Sequence, residues 1–174
     1  MKLKKYLFKK VYSTNNTAIR LIKQGCYNGA ILSVAQTNGR GQRGNKWISK
    51  KGNLFMSVFF EINKYLSLKK ITYINTSIIE KIIKKKTNSN ISVKLPNDIL
   101  INNKKVCGIL QETVFKNNIK YLIVGIGINL INSPNLIKYS TTYLNNYSKK
   151  KINKIKLFNE IKLKYERNLK HFTN

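Results

Sequence analysis

Histidine and cysteine are nearly absent from this 174-residue chain, and the shortage narrows its chemistry. The single histidine, His171, stands near the end of the sequence, so a Ser-His-Asp arrangement has little to be built from. Cys26 and Cys107 are far apart with no CxxC pair, which suggests neither a disulfide framework nor a zinc site; both read as reduced structural thiols. No stretch approaches the roughly 18 consecutive apolar residues of a membrane span, and the lysine-rich start from Met1 to Lys10 lacks the apolar run of a signal peptide. A soluble, cytoplasmic protein without a membrane partner is expected. Neither an internal repeat nor a long disordered linker interrupts the sequence, and its length, with 42% hydrophobic residues, suffices for one folded domain.

Acids are scarce as well. Six Asp and Glu against 34 Lys and Arg leave a net charge of +28, which would ordinarily argue for a nucleic-acid partner. The make-up of that surplus argues against it. There are 30 lysines but only 4 arginines, amid abundant asparagine and isoleucine. Lysine, asparagine and isoleucine all have A/T-rich codons, so base composition alone accounts for the profile. No basic helix with interleaved stacking aromatics stands out, and the runs Lys84-Lys85-Lys86 and Lys149-Lys150-Lys151 read as solvated helix ends or turns. No specific DNA partner is expected; a non-specific nucleic-acid-binding protein remains an alternative motivated by charge.

The scarce residues are concentrated in one place. Gly39-Arg40-Gly41-Gln42-Arg43-Gly44-Asn45-Lys46-Trp47 holds two of the four arginines, three of the nine glycines and the sole tryptophan. Glycines at 39, 41 and 44 let a backbone approach a ligand and expose N–H groups as an anion nest, while the forked guanidiniums of Arg40 and Arg43 suit phosphate or carboxylate. The spacing is not that of a P-loop, and the GxGxxG pattern does not open a helix as a dinucleotide fingerprint does.

Around that loop the pattern predicts alternating elements. Lys5 to Tyr12 is a short apolar-bearing segment; Ser13-Thr14-Asn15-Asn16 precedes a helix from about Thr14 to Gly25. Ala30–Gln36 and Asn53–Ile62 read as strands joined by the glycine-rich loop. Ile71, Ile74, Ile78 and Ile82 mark the apolar face of a helix from about Ser67 to Lys86. A short strand, Ile91 to Lys94, is cut off by Leu95-Pro96-Asn97-Asp98. Ile99–Ile101 and Val106–Val114 form a hairpin about Asn102-Asn103, Ile119–Leu130 continues the sheet, and Phe158, Ile161, Tyr165 and Leu169 define a final helix, Lys154 to Leu169. The expected class is α/β (α+β), with a central mixed, largely antiparallel sheet and flanking helices.

Six segments in order, namely Ser13-Thr14-Asn15, Gln36, the GRGxRGxxW loop, Lys94-Leu95-Pro96-Asn97-Asp98, Lys105–Glu112 and Gly125–Asn129, resemble the catalytic domain of the biotin–protein ligases (biotin–[acetyl-CoA-carboxylase] ligases) from about Tyr12 to Leu130. The resemblance implies a fold of the class II aminoacyl-tRNA synthetase-like, biotin–lipoate ligase kind. It also implies a two-step reaction: biotin and Mg-ATP give biotinyl-5′-adenylate, which acylates one lysine of a biotin carboxyl-carrier domain. A lipoate-type protein ligase is the alternative within that fold, and a homodimer is left open.

By the same resemblance, Ser13, Thr14, Asn15 and Gln36 take the biotin end. Arg40, Gly41 and Gln42 lie along the acyl-phosphate junction, and Lys94 is the cation between the biotin carboxylate and the α-phosphate. Arg43, Lys46, Trp47, Gly127 and Asn129 face ATP, and Asp98 either holds Lys94 or serves a Mg²⁺ site. Plainer roles stand beside these: Ser13 or Thr14 as a helix cap, Trp47 as core, Asp98 capping its turn, Gly127 and Asn129 as a tight strand exit. Gln42 and Asn45 stand where many members carry arginine, and Leu95 where many carry tryptophan. The sequence leaves no room before Tyr12 for a helix-turn-helix domain, and the small C-terminal barrel-like (SH3-like) domain of many relatives is not expected either.

Overall fold

The computed structural model describes residues 1–137 and 139–173. Seven strands form one sheet in the order β1-β2-β3-β7-β6-β5-β4. They are β1 (Lys5–Val11), β2 (Gly29–Gln36), β3 (Leu54–Glu61), β4 (Ile91–Lys94), β5 (Asp98–Ile101), β6 (Lys104–Lys116) and β7 (Ile119–Ile128). Helix α1 (Thr14–Lys23) crosses from β1 to its parallel neighbour β2, and every other pairing is antiparallel. The mixed, largely antiparallel sheet read from the sequence is therefore the one observed.

Local chemistry sets the boundaries. Asn102-Asn103 and Asn117-Asn118 turn β5 into β6 and β6 into β7 with positive φ at both residues of each pair. Asparagine tolerates that left-handed region, and two such residues match the twist of the flanking strands. Helix α2 (Leu68–Lys84) starts where the Ser67 hydroxyl accepts from the Lys70 N–H at 3.2 Å, and α3 (Lys154–Asn168) where the Asn153 side chain accepts from the N–H groups of Ile155 and Lys156. A last short turn, α4 (Lys170–Thr173), buries Phe172.

The two sheet faces carry different loads. On one, Met56, Val58, Phe60, Ile109, Val124 and Ile126 pack against Ile71, Ile79 and Ile83 of α2 and Phe158, Ile161 and Tyr165 of α3. Phe60 and Phe172 meet edge to face with ring centres 5.1 Å apart. Each such side chain, once fully buried, contributes about 1.5–3 kcal/mol. On the other face a smaller cluster, Ala18, Leu21 and Ile22 of α1 with Ile31, Phe59, Tyr121 and Ile123, covers only part of the sheet. The uncovered part carries the candidate site.

Candidate active site

Strand alternation lays small residues side by side on that open surface. Gly125 and Gly127 of β7 pair with Leu110 and Gly108 of β6 on one side and with Ser57 and Phe55 of β3 on the other. The result is a floor with few side chains, and two different groups press onto it. Asn15 lies over Gly125, its Oδ1 in the space a Cβ there would take, and accepts a hydrogen bond from the Ser57 hydroxyl at 2.6 Å. About 7 Å further along β7, the Trp47 ring lies on Gly127 and Gly108, where added Cβ atoms would meet it at 2.5 Å and 2.7 Å. Only glycine leaves room for the indole at these two positions.

The cavity above this floor holds about 970 Å³ and is lined by Ser13, Thr14, Asn15, Gln36, Arg40, Gly41, Gln42, Arg43, Lys46, Trp47, Lys94, Asp98, Gly127 and Asn129. Every site residue picked out from the sequence thus borders one space, Arg40 and Lys94 included. The segments supplying them lie far apart in the chain and meet because β3 and β7 are neighbours at the centre of the sheet.

Several polar groups are locked by one another. Gln36 Oε1 accepts from both the N–H and the hydroxyl of Thr14, at 2.8 and 3.1 Å, while its Nε2 donates to Ser49 Oγ at 3.1 Å. Asn15 Nδ2 donates to Glu112 Oε2 at 2.7 Å, and the same carboxylate oxygen takes an ion pair from Arg40. Arg40 Nε, buried, has no hydrogen-bond partner among the described residues, and nor does Trp47 Nε1. Two residues that line the cavity thus each hold a buried N–H donor without a partner among the described residues.

Some expectations are corrected. Asp98 pairs with Lys105, at 2.8 Å, and not with Lys94, although Lys94 is its cross-strand neighbour; no ion pair to Lys94 occurs among the described residues. The approach of Lys105 falls outside hydrogen-bond geometry, so the contact is one of charge. The glycine loop is not an open row of amides. Gly41 N–H donates to Asn45 O at 2.7 Å and Asn45 N–H to Gln42 O at 3.1 Å, closing the loop on itself around a turn in which Arg43 has φ 53°. Ser13 occupies the N-cap of α1 without a side-chain cap bond. Trp47 is half-buried at the cavity wall and belongs to neither apolar cluster. Asn129 is buried with both ends of its amide engaged, Nδ2 to Thr142 O at 3.1 Å and Oδ1 by Asn53 Nδ2 at 3.4 Å.

Glu112 and Lys105 lie in a segment read from the sequence, but sequence reasoning gave neither a role. Glu112 shares a strand face with Gly108 and Leu110 by simple alternation, a signal within reach once the floor is known. Cys107 points to the other face and is fully buried, which pushes its thiol far above the usual range and leaves it unreactive. Among the described residues no three His, Cys, Asp or Glu side chains gather into a metal-binding group. No helix is long and apolar enough to cross a membrane among the described residues.

The biotin/lipoate A/B protein ligase family model matches residues 7–129, the stretch that builds both the floor and the loops above it. The chain belongs to this family. It is 30% identical over 168 residues to the bifunctional ligase/repressor BirA of Bacillus subtilis, covering 92% of this chain and 52% of that protein. Against the biotin–[acetyl-CoA-carboxylase] ligase of Paracoccus denitrificans it is 28% identical, covering 70% of this chain and 52% of the relative. The chain thus spans about half the length of these curated relatives. Among solved structures, biotin protein ligase from Aquifex aeolicus in complex with biotin and ATP superposes with TM-score 0.80 at 29% identity, covering 96% of this chain and 70% of that one. The Leishmania major ligase in complex with biotinyl-5-AMP gives 0.77 at 26% identity, with 98% and 76% covered.

Proposed function

We propose that this chain condenses biotin with ATP to biotinyl-5′-adenylate and transfers the biotinyl group to a lysine of a biotin carboxyl-carrier domain. The observation that carries the reading is the shared cavity of Arg40 and Lys94, roofed by the arginine–glycine loop and floored by glycine. Relatives bound to biotin with ATP and to biotinyl-5-AMP support it.

In the first step a biotin carboxylate oxygen bonds to the α-phosphorus, and the bond from that phosphorus to the bridging oxygen breaks, pyrophosphate leaving with the electron pair. Two anions must approach each other, so positioned cations supply most of the help. Lys94 takes the place between carboxylate and α-phosphate, Arg40 stands at the junction, and Arg43 and Lys46 serve the outer phosphates. In the second step the carrier's lysine amine attacks the acyl carbonyl, AMP departs and a proton is released. Ser13, Thr14, Asn15 and Gln36 take the biotin end. The hydrogen bonds of Thr14 to Gln36 and of Asn15 to Ser57 and Glu112 fix three of them beforehand, so they lose little entropy on binding.

Mg²⁺ was expected with ATP. The residues present do not fit a resident ion: Asp98 faces Lys105, Glu112 faces Arg40, and no third ligand joins them among the described residues. Mg²⁺ would arrive with ATP, held by phosphate oxygens and water; the roles derived for this chain are those of its own side-chain cations.

Incubation with biotin, Mg-ATP and a carrier domain tests the reading. Labelling by the wild-type chain, lost in Lys94→Ala and Arg40→Ala variants that keep native circular dichroism, is expected; full labelling by either variant would overturn the roles. Pyrophosphate exchange into ATP with lipoate but not biotin would favour the lipoate-type alternative. Action in the cytoplasm, with a homodimer left open and no specific DNA partner, completes the proposal.

A further inference from the structure

Asn53 is fully buried at the foot of β3, and its amide is spent on the segment that leaves β7. The β3–β7 ladder ends at the pair Leu54 and Ile128. Beyond that pair the Asn53 side chain takes over. Its Oδ1 accepts from three consecutive backbone N–H groups, those of Leu130, Ile131 and Asn132, at 2.9, 3.1 and 3.4 Å. Its Nδ2 donates to Asn132 O at 3.0 Å and to Asn129 Oδ1 at 3.4 Å. Two further bonds join the same stretches: Lys50 Nζ to Ser133 O at 3.0 Å, and Asn132 Nδ2 to Lys51 O at 3.1 Å.

The segment held in this way continues into the cavity wall. Pro134, Leu136, Ile137, Tyr139 and Thr141 all line the cavity, and the Thr141 hydroxyl donates to Pro134 O. The chain then returns beside its own start, where the N–H groups of Leu144 and Asn145 donate to the carbonyls of Asn129 and Leu130 at 2.8 and 3.0 Å. Between Ile131 and Thr141 no described residue belongs to either apolar cluster. With little apolar packing of its own, the wall depends on the hydrogen bonds at its two feet. An amide accepts at one end and donates at the other, which is what the outgoing foot demands.

We propose that Asn53 is a positioning residue: its buried amide fixes the outgoing foot of this wall and thereby shapes the nucleotide end of the cavity. That the end it serves is the nucleotide's rests on the ATP-dependent reading above; the anchor itself does not. The biotin end lies apart, since Asn15 sits over Gly125, about 13 Å back along the strand direction from Asn129.

The test compares the full chain with Asn53→Leu, which keeps the volume and removes the amide, and Asn53→Asp, which keeps the acceptor. It follows chymotrypsin cleavage after Leu136 and Tyr139 under native conditions, biotin affinity by calorimetry without ATP, and KM for ATP and for biotin in pyrophosphate release. Asn53→Leu is expected to speed cleavage about tenfold and to raise KM for ATP about tenfold, while biotin affinity stays within about twofold. Asn53→Asp should recover part of both, because a row of N–H groups favours a carboxylate. Unchanged cleavage in folded Asn53→Leu, equal rises in both KM values, or an Asn53→Asp variant no better than Asn53→Leu would overturn the anchor. Should Asn53→Leu not fold, hydrogen exchange in the wild-type chain decides: Ile131 and Asn132 amides that exchange as fast as those of a free peptide overturn the anchor, and protected ones uphold it. A wild-type chain that binds neither biotin nor ATP would sink the proposed function, and the cleavage comparison would still judge Asn53.

Discussion

Arg40 and Glu112, 72 positions apart, form an ion pair whose carboxylate oxygen also receives Asn15, so one acid ties the glycine loop to the start of α1. Glu112→Ala should release both. A hydrogen bond to a charged group contributes about 1.5–3 kcal/mol, and this partly exposed pair lies at the low end, so biotin affinity should fall about 10-fold. Calorimetry with biotin alone checks this, and an unaltered affinity would show that Arg40 and Asn15 hold their places unaided.

Gly127→Ala is expected to unseat Trp47. The new methyl would meet Cε2 at 2.5 Å and Cζ2 at 2.7 Å. Overpacking of this kind costs about 1–3 kcal/mol, a fall in Tm of roughly 2–4 °C per kcal/mol for a chain of this size. The indole emission maximum should shift with it. A variant with native Tm and native emission would mean the ring does not lie against this strand.

Gln42 borders the cavity beside Arg40 but brings no formal charge. It should hold the adenylate less tightly than arginine does, so Gln42→Arg is expected to slow leakage of activated biotin to hydroxylamine. Equal leakage from the two proteins would remove position 42 from the explanation.

Glu166 links the N-terminal end to α3. Burial alone would raise its pKa, but Lys162 Nζ and the Leu3 N–H, each at 2.6 Å, hold it below the usual 4.5. The folded value is depressed, so the stabilisation is complete above 4.5 and is lost as pH falls through the folded value. Urea midpoints at pH 7 and pH 3 should therefore differ more for the wild type than for Glu166→Gln. Parallel falls in the two would assign acid sensitivity elsewhere.

Much of this arrangement was legible in the residues because it depends on local rules. Alternation marked the strands, Asn102-Asn103 marked a turn, and Ser67 stands one residue before the observed start of α2. Gathering the loop, Lys94 and Gly127 about one cavity was anticipated from the family resemblance that the motifs carry. Partner choice was not legible. Asp98 had two lysines within reach, and only the irregular pairing of β5 with β6 between Ile99 and Leu100 shows which one it meets. Alternation could place Glu112 on the floor's face but not name its partners Arg40 and Asn15, which lie far away in the chain, and the closure of Gly41 onto Asn45 depends on the backbone path inside the loop.

A sheet that keeps its main apolar mass on one side and its reactive groups on the other has a consequence for change over time. Substitutions that retune substrate preference fall where few hydrophobic contacts are at stake, so they can accumulate without tipping a marginally stable chain toward unfolding. The reverse side, thick with isoleucine and phenylalanine, has no such freedom.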